Sequence, residues 1–179
     1  MNREHLAHLL RAVGTATGED DILVIGSQAI LGSYDADALP AVTVVSIEAD
    51  LGVLDDDGDR VSDLIDGVVG ELSPFNLMYG YYGQGISVTT AVLPDGWRER
   101  LVLFENDATR PARGWCLEAH DLVIAKLVRG DPKDYEFADA LVRVDIVGSA
   151  VLVDRLATID VTAAVRARID RWISTGARG

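Results

Sequence analysis

Ile22-Leu-Val-Ile-Gly-Ser-Gln-Ala-Ile-Leu31 decides how this chain is read. Its first four residues are apolar, three of them β-branched, and they lie between Asp20-Asp21 and Gly26-Ser27. That is the pattern of a short central strand buried on both faces. Gly26-Ser27 then predicts a tight turn, and Gln28 to Leu31 a short helix that stops at Gly32. A glycine at such a turn lets the backbone approach a ligand closely. A serine hydroxyl beside a helix N-terminus offers donors to a phosphate. The same dipeptide also makes an ordinary turn with a serine cap, so its meaning depends on its surroundings.

Upstream, Leu6, Leu9, Leu10 and Val13 have helical spacing and predict a helix over 3–13, ended by Gly14 and Gly18. Downstream, 33–40 reads as a loop. Ala41 to Ile47, rich in Val and Thr, reads as a strand that Glu48-Ala-Asp50-Leu51 continues. Ser62 to Leu72 carries Leu64, Ile65, Val68, Val69 and Leu72 at helical spacing, with Ser62 or Asp63 as cap. Tyr79 to Gly85 reads as a turn between strands, Ile86 to Leu93 as a strand, Pro94-Asp-Gly96 as a turn and Leu101 to Phe104 as a strand. From Glu118 the pattern predicts helices over 119–129, 132–144, 149–157 and 161–174, the second opened by Asp131 as cap and Pro132 in the first turn. The predicted fold class is α/β (α+β): a small mixed β-sheet core flanked by helices, with a helical C-terminal part. Residues 1–115 would form the core and 116–179 a helical subdomain.

The chain has 179 residues, 49% hydrophobic and 25% charged, the composition of a globular protein. No apolar run approaches the roughly 18 residues of a membrane span. The N-terminal stretch is charged and amphipathic rather than signal-like. A cytoplasmic location and no membrane partner are therefore expected. Cys116 is the only cysteine, which excludes an intramolecular disulfide and a cysteine zinc cluster; a small core residue is expected there. The net charge of −13 disfavours nonspecific binding to DNA or membranes and limits any phosphate-binding surface. Most of the acids between Asp55 and Asp66 read as a solvated loop and helix start.

Two lysines, Lys126 and Lys133, stand against fourteen arginines, and both fall within Asp121–Phe137. Lys126 sits in an apolar run between Leu122-Val-Ile-Ala125 and Leu127-Val128. A buried ammonium is costly without an anionic partner; otherwise the side chain snorkels to the surface. A lysine held in apolar surroundings is a strong point charge for phosphate. Asp134 is placed to be a base or a hydrogen-bonding partner, although an acid in a helix first turn is also favoured by the dipole.

Glu48 and Asp50, at i and i+2 of a strand, point to one face. Two carboxylates so placed raise each other's pKa values unless a cation lies between them. Mg²⁺ binds carboxylate oxygens together with substrate phosphates, and so could position a nucleoside triphosphate for group transfer. The plainer reading is a pair of exposed strand-end acids. Tyr79-Gly-Tyr-Tyr-Gly-Gln-Gly85 could stack a base or pack its tyrosines on the sheet edge.

Gly26-Ser27-Gln28-Ala29, the Ser46–Leu51 strand, the Pro94–Arg100 segment and Asp121–Asp134, in this order, resemble the nucleotidyltransferase fold. More closely they are similar to the DUF6036-type and abortive-infection (AbiEii-like) nucleotidyltransferases of bacterial type IV toxin–antitoxin systems. The resemblance covers roughly residues 20 to 142. It implies that Gly26 and Ser27 bind nucleotide phosphates, with Lys126, Arg129 and Lys133 beside them. Glu48 and Asp50 would hold Mg²⁺. Asp134 would act near the attacking hydroxyl or hold Lys126 in place. The implied partners are an NTP, often a pyrimidine, a tRNA 3′ end as acceptor, and a cognate antitoxin protein.

Two departures bear on activity. The usual pair is Asp-x-Asp, and here Glu48 comes first. A third carboxylate of other branches would fall on Ser87-Val-Thr-Thr90, which offers only hydroxyls. A protein or small-molecule acceptor, or a non-catalytic antitoxin-like module, are the competing readings. Arg98, Arg100, Arg110, Arg113, Arg129 and Lys133 are the candidates for a local basic groove.

Overall fold

A computed structural model of the chain describes residues 1–176. Five strands form one mixed sheet in the order β3-β2-β1-β5-β4. They are β1 (Asp21–Val24), β2 (Glu48–Gly52), β3 (Tyr82–Gly85), β4 (Val102–Phe104) and β5 (Arg113–Cys116). The central β1 runs antiparallel to β2 and parallel to β5; β2 and β3 are parallel, and β4 and β5 antiparallel. Ile22, Leu23 and Val24 are almost wholly buried, as an apolar run in mid-sheet requires. Among the described residues eight helices flank the sheet, so the α/β architecture expected from the sequence is the one observed.

Helix α1 (Arg3–Thr17) is capped by Asn2, whose side chain accepts from the His5 N–H at 2.8 Å, and closes on Gly18 at φ 78°. It runs through Gly14 rather than ending there. A Cβ at Gly14 would lie 2.6 Å from the Ala112 Cβ, so the glycine serves close packing and not termination. Helix α3 (Arg60–Val69) packs with α1 on the sheet face that carries Leu51. Its cap is neither Ser62 nor Asp63: the Asp56 carboxylate accepts from the Val61 and Ser62 N–H groups and from the Ser62 hydroxyl, each at 2.8 Å.

Several expected elements differ. Ala41–Val44 is a short helix, α2, not a strand; Pro40 precedes it and the Thr43 hydroxyl bonds back to the Pro40 carbonyl at 2.8 Å. Pro74–Tyr79 forms helix α4, capped by Ser73. Gly80 ends it in the left-handed region at φ 77°, and Tyr82–Gly85 is the edge strand β3 rather than a turn. The stretch from Ile86 to Leu93 is irregular, with a single 3₁₀ turn at Val88–Thr90, so Ser87–Thr90 is not a strand that could carry a third carboxylate. β5 went unanticipated.

The remaining helices are α5 (Ala119–Arg129), α6 (Pro132–Arg143), α7 (Ser149–Ala157) and α8 (Ala163–Gly176), all close to the expected ranges. No helix among the described residues is long and apolar enough to cross a membrane. Cys116 is buried in the core, and burial pushes its thiol up to about 12.

Candidate active site

The two faces of the sheet differ in packing. On β2, Ala49 and Leu51 are buried against the α3 side, whereas Glu48 and Asp50 are half-buried on the other. That second side opens into a pocket of about 540 Å³ whose wall includes Gly26, Ser27, Glu48, Asp50, Lys126, Arg129 and Lys133. The residues singled out from the sequence therefore come together, drawn from the end of β1, from β2, and from α5 and α6. Asp134 lies behind this wall, wholly buried.

The β1 turn brings the backbone against Asp50. The Ile25 N–H donates to the Asp50 carbonyl at 3.2 Å, and a Cβ built on Gly26 would sit 1.4 Å from the Asp50 Oδ2. Any side chain at position 26 would occupy the space of the carboxylate. Gly26 has φ −78° and ψ −166°, a conformation open to every residue, so space and not backbone freedom demands glycine here.

Lys126 is 7% exposed, and its ammonium is paired rather than snorkelling. Nζ donates to Ser27 Oγ at 2.8 Å and to Asp134 Oδ1 at 3.3 Å, and it lies 4.6 Å from the centre of the Phe137 ring. Burial lowers its pKa, and the Asp134 charge works against that. Asp134 is also bound by Arg129 in a two-pronged contact, Nε to Oδ2 at 2.8 Å and Nη2 to Oδ1 at 2.5 Å, and by the Asp131 N–H at 3.2 Å. Burial alone would raise the Asp134 pKa, but the Arg129 hydrogen bonds and the Lys126 charge hold it below the usual carboxylate range. Saturated and ionised, Asp134 acts on the pocket by locking two cations in its wall.

Asp50 is the opposite case. Burial raises its pKa, and Glu48 adds to the shift, while Lys126, Arg129 and Lys133 reduce it. Among the described residues no donor reaches its carboxylate. Glu48 does have one: the Tyr82 hydroxyl donates to Oε2 at 2.5 Å. A carboxylate pair with one desolvated, undonated member is a hard oxygen donor set of the kind Mg²⁺ shares with phosphates, so the residues fit that ion. Among the described residues no cluster of three or more His, Cys, Asp or Glu is placed to hold a metal.

The pocket has an apolar side that the sequence did not announce: Val42 of α2 and Val45 just after it, with Ile86 and Val92 from the irregular segment. Tyr82 belongs to the Tyr79–Gly85 stretch read as a base stack or as sheet-edge packing; its partnership with Glu48 follows from the parallel β2–β3 register and was not visible in the sequence. The six candidates for a basic groove scatter. Arg100 is bound to the buried Asp121 at 2.7 Å, Arg113 to Asp21 at 2.5 Å, Arg110 lies 3.7 Å from Asp107, and only Arg129 and Lys133 line the pocket.

No curated protein and no solved structure matches the chain. A family profile does: the one described as "Nucleotidyltransferase of unknown function (DUF6036)" matches residues 4–168, nearly the whole length. The matched span takes in the Gly26-Ser27 turn, the Glu48–Asp50 pair and Lys126 around one pocket, and the chain belongs to the DUF6036 nucleotidyltransferase family.

Proposed function

We propose that the protein is a magnesium-dependent nucleotidyltransferase that moves a nucleoside monophosphate from an NTP, a pyrimidine nucleotide, to an acceptor hydroxyl. The acceptor in this reading is a tRNA 3′ end, and the protein is the toxin of a type IV toxin–antitoxin pair. The observation that carries the chemistry is the Lys126–Ser27 contact at 2.8 Å in a pocket that also holds Glu48 and Asp50. The acceptor and the biological role come from the resemblance to AbiEii-like proteins.

Within the reading, Gly26 and Ser27 present the turn to the phosphates. Lys126, Arg129 and Lys133 stabilise the charge of the triphosphate and of the departing pyrophosphate. Glu48 and Asp50 would hold Mg²⁺, which when bound neutralises phosphate charge. The acceptor oxygen forms a bond to the α-phosphorus, the bond to the β-phosphate oxygen breaks, and the hydroxyl proton leaves to solvent. Asp134 keeps Lys126 and Arg129 in place, and its saturation by four donor contacts favours this over a role as base. Residues 1–115 supply the core of this machinery, and the helices after 116 complete it through Lys126 and Asp134.

A second acceptor class has its own support. Arg100 and Arg113 are engaged by acids, and the chain carries a net charge of −13, which favours a protein or small-molecule acceptor over an extended RNA.

The test supplies each of the four α-labelled NTPs with Mg²⁺ to total bacterial tRNA, with wild type and Asp50→Ala in parallel. Label on tRNA with wild type alone supports the reading and names the base. Absence of label with NTP binding intact would sink the tRNA acceptor and favour the second class. Label with both variants would remove Asp50 from the chemistry.

A further inference from the structure

Glu48 occupies a position where aspartate would give the tighter carboxylate pair, and its longer arm has an extra torsion to fix. The fold supplies the fixing group from the neighbouring strand. Tyr82 stands directly beside Glu48 in the β2–β3 register, and its hydroxyl donates to Glu48 Oε2 at 2.5 Å. One oxygen of Glu48 is thereby engaged, and no donor among the described residues reaches the other, Oε1. Asp50 has no such partner among the described residues.

The difference between the two oxygens matters because divalent ions differ in how they use carboxylates. Ca²⁺ takes about 6–8 oxygens and readily binds a carboxylate through both of its oxygens. Mg²⁺ is smaller, demands octahedral geometry, and is satisfied by one or two carboxylates with water and phosphate filling the rest. With one lone pair of Oε2 committed to Tyr82, Oε1 is the oxygen with both lone pairs open, which suits one-oxygen binding of Mg²⁺ better than two-oxygen binding of Ca²⁺.

We propose that Tyr82 is a positioning residue that holds Glu48 in a one-oxygen geometry and so gives the Glu48–Asp50 pair its preference for Mg²⁺ over Ca²⁺. This rests on the metal-dependent reading above. It also accounts for how glutamate serves at position 48: the hydroxyl of Tyr82 confines the extra reach.

The experiment needs no turnover. Mn²⁺ bound to the full chain is followed by electron paramagnetic resonance, and is then displaced by Mg²⁺ and by Ca²⁺ in wild type, Tyr82→Phe, Asp50→Ala and the pair Glu48→Asp and Glu48→Asp/Tyr82→Phe. Tyr82→Phe should weaken Mg²⁺ about tenfold, as loss of a group that orients a ligand does, with Ca²⁺ weakened less, so that the Mg²⁺/Ca²⁺ ratio falls. In the Glu48→Asp background, where the shorter arm no longer reaches the hydroxyl, Tyr82→Phe should change nothing. Equal weakening of both ions would indicate a loosened edge strand and overturn the proposal. Unchanged affinities in Tyr82→Phe, with Mn²⁺ lost in Asp50→Ala, would overturn it while leaving the metal-dependent reading intact. No Mn²⁺ bound to wild type would overturn both.

Discussion

Replacing Gly26 by alanine isolates the tightest contact in the site. The backbone at φ −78° accepts alanine without strain, so any penalty must come from what the new methyl meets. It would lie 1.4 Å from Asp50 Oδ2, 2.4 Å from its Cγ and 2.9 Å from its Cβ. Ordinary contact needs about 3.5–4.0 Å, so the carboxylate must move by about 2 Å or the turn must shift. Overpacking of this kind costs about 1–3 kcal/mol. With a urea slope of about 2 kcal/mol per molar, a penalty of about 2 kcal/mol would move the unfolding midpoint by about 1 M. The diagnostic measurement is the cycle with Asp50→Ala. In that background only the Cβ contact remains, and most of the Gly26→Ala penalty should vanish, giving an interaction energy of about 1–2 kcal/mol. Transfer activity in Gly26→Ala alone should fall at least about 100-fold, since a misplacement of about 1 Å in a reacting group has that cost. A penalty of equal size in both backgrounds would refute the close approach of turn and carboxylate, whatever the activity.

Asp50→Asn should stabilise the chain by about 1 kcal/mol at neutral pH while removing transfer, the usual exchange at a site whose charge is held for function. Because the folded pKa of Asp50 is raised, its ionisation weakens the fold as pH climbs from the ordinary aspartate value through the raised one; the asparagine advantage should grow over that window and disappear below it, and urea midpoints across pH check the sign. Away from the pocket, Asp121 is wholly buried between Arg100 at 2.7 Å and Arg155 at 3.0 Å. Asp121→Ala should cost about 3–5 kcal/mol by leaving two partly buried guanidinium groups without their anion; a loss under about 1 kcal/mol by urea unfolding would contradict the ion-pair geometry.

The parts of this fold that could be read in the sequence are those fixed locally. α5 and α6 fall within a residue of expectation because caps, a first-turn proline and an apolar stripe all sit inside the segment. The β1 turn and the shared face of Glu48 and Asp50 follow from strand periodicity alone. What was misread depends on distant partners. β5 is four residues, Arg-Gly-Trp-Cys, with no apolar run, and its strand state comes from pairing with β1. β3 looked like a turn because of its glycines, yet a Cβ at Gly83 would lie 2.8 Å from Leu51 Cδ1 and one at Gly85 would lie 2.0 Å from the Ser62 carbonyl oxygen. They are the price of packing α3 tightly on that strand. Val and Thr drew Ala41–Ile47 towards a strand reading, whereas Pro40 and the Thr43 back-bond start a helical turn instead. At the site, residue types and spacing pointed to Ser27, Asp50, Lys126 and Asp134, but not to the Arg129–Asp134 fork, the valine side of the pocket or the Tyr82–Glu48 bond.

Both lysines of this chain belong to the wall of one pocket, and that has a practical consequence for anyone handling the protein. Reagents that attack side-chain amines have nowhere else to react: Lys133 is exposed at the rim and Lys126 lies just inside it. Beyond the Met1 α-amine, which also reacts with succinimide dyes, coupling through lysine would therefore report on, or block, the pocket itself, and a bound nucleotide would shield it. Arginine everywhere else makes the chain self-addressing, with its side-chain amines confined to the place where its chemistry is proposed to occur.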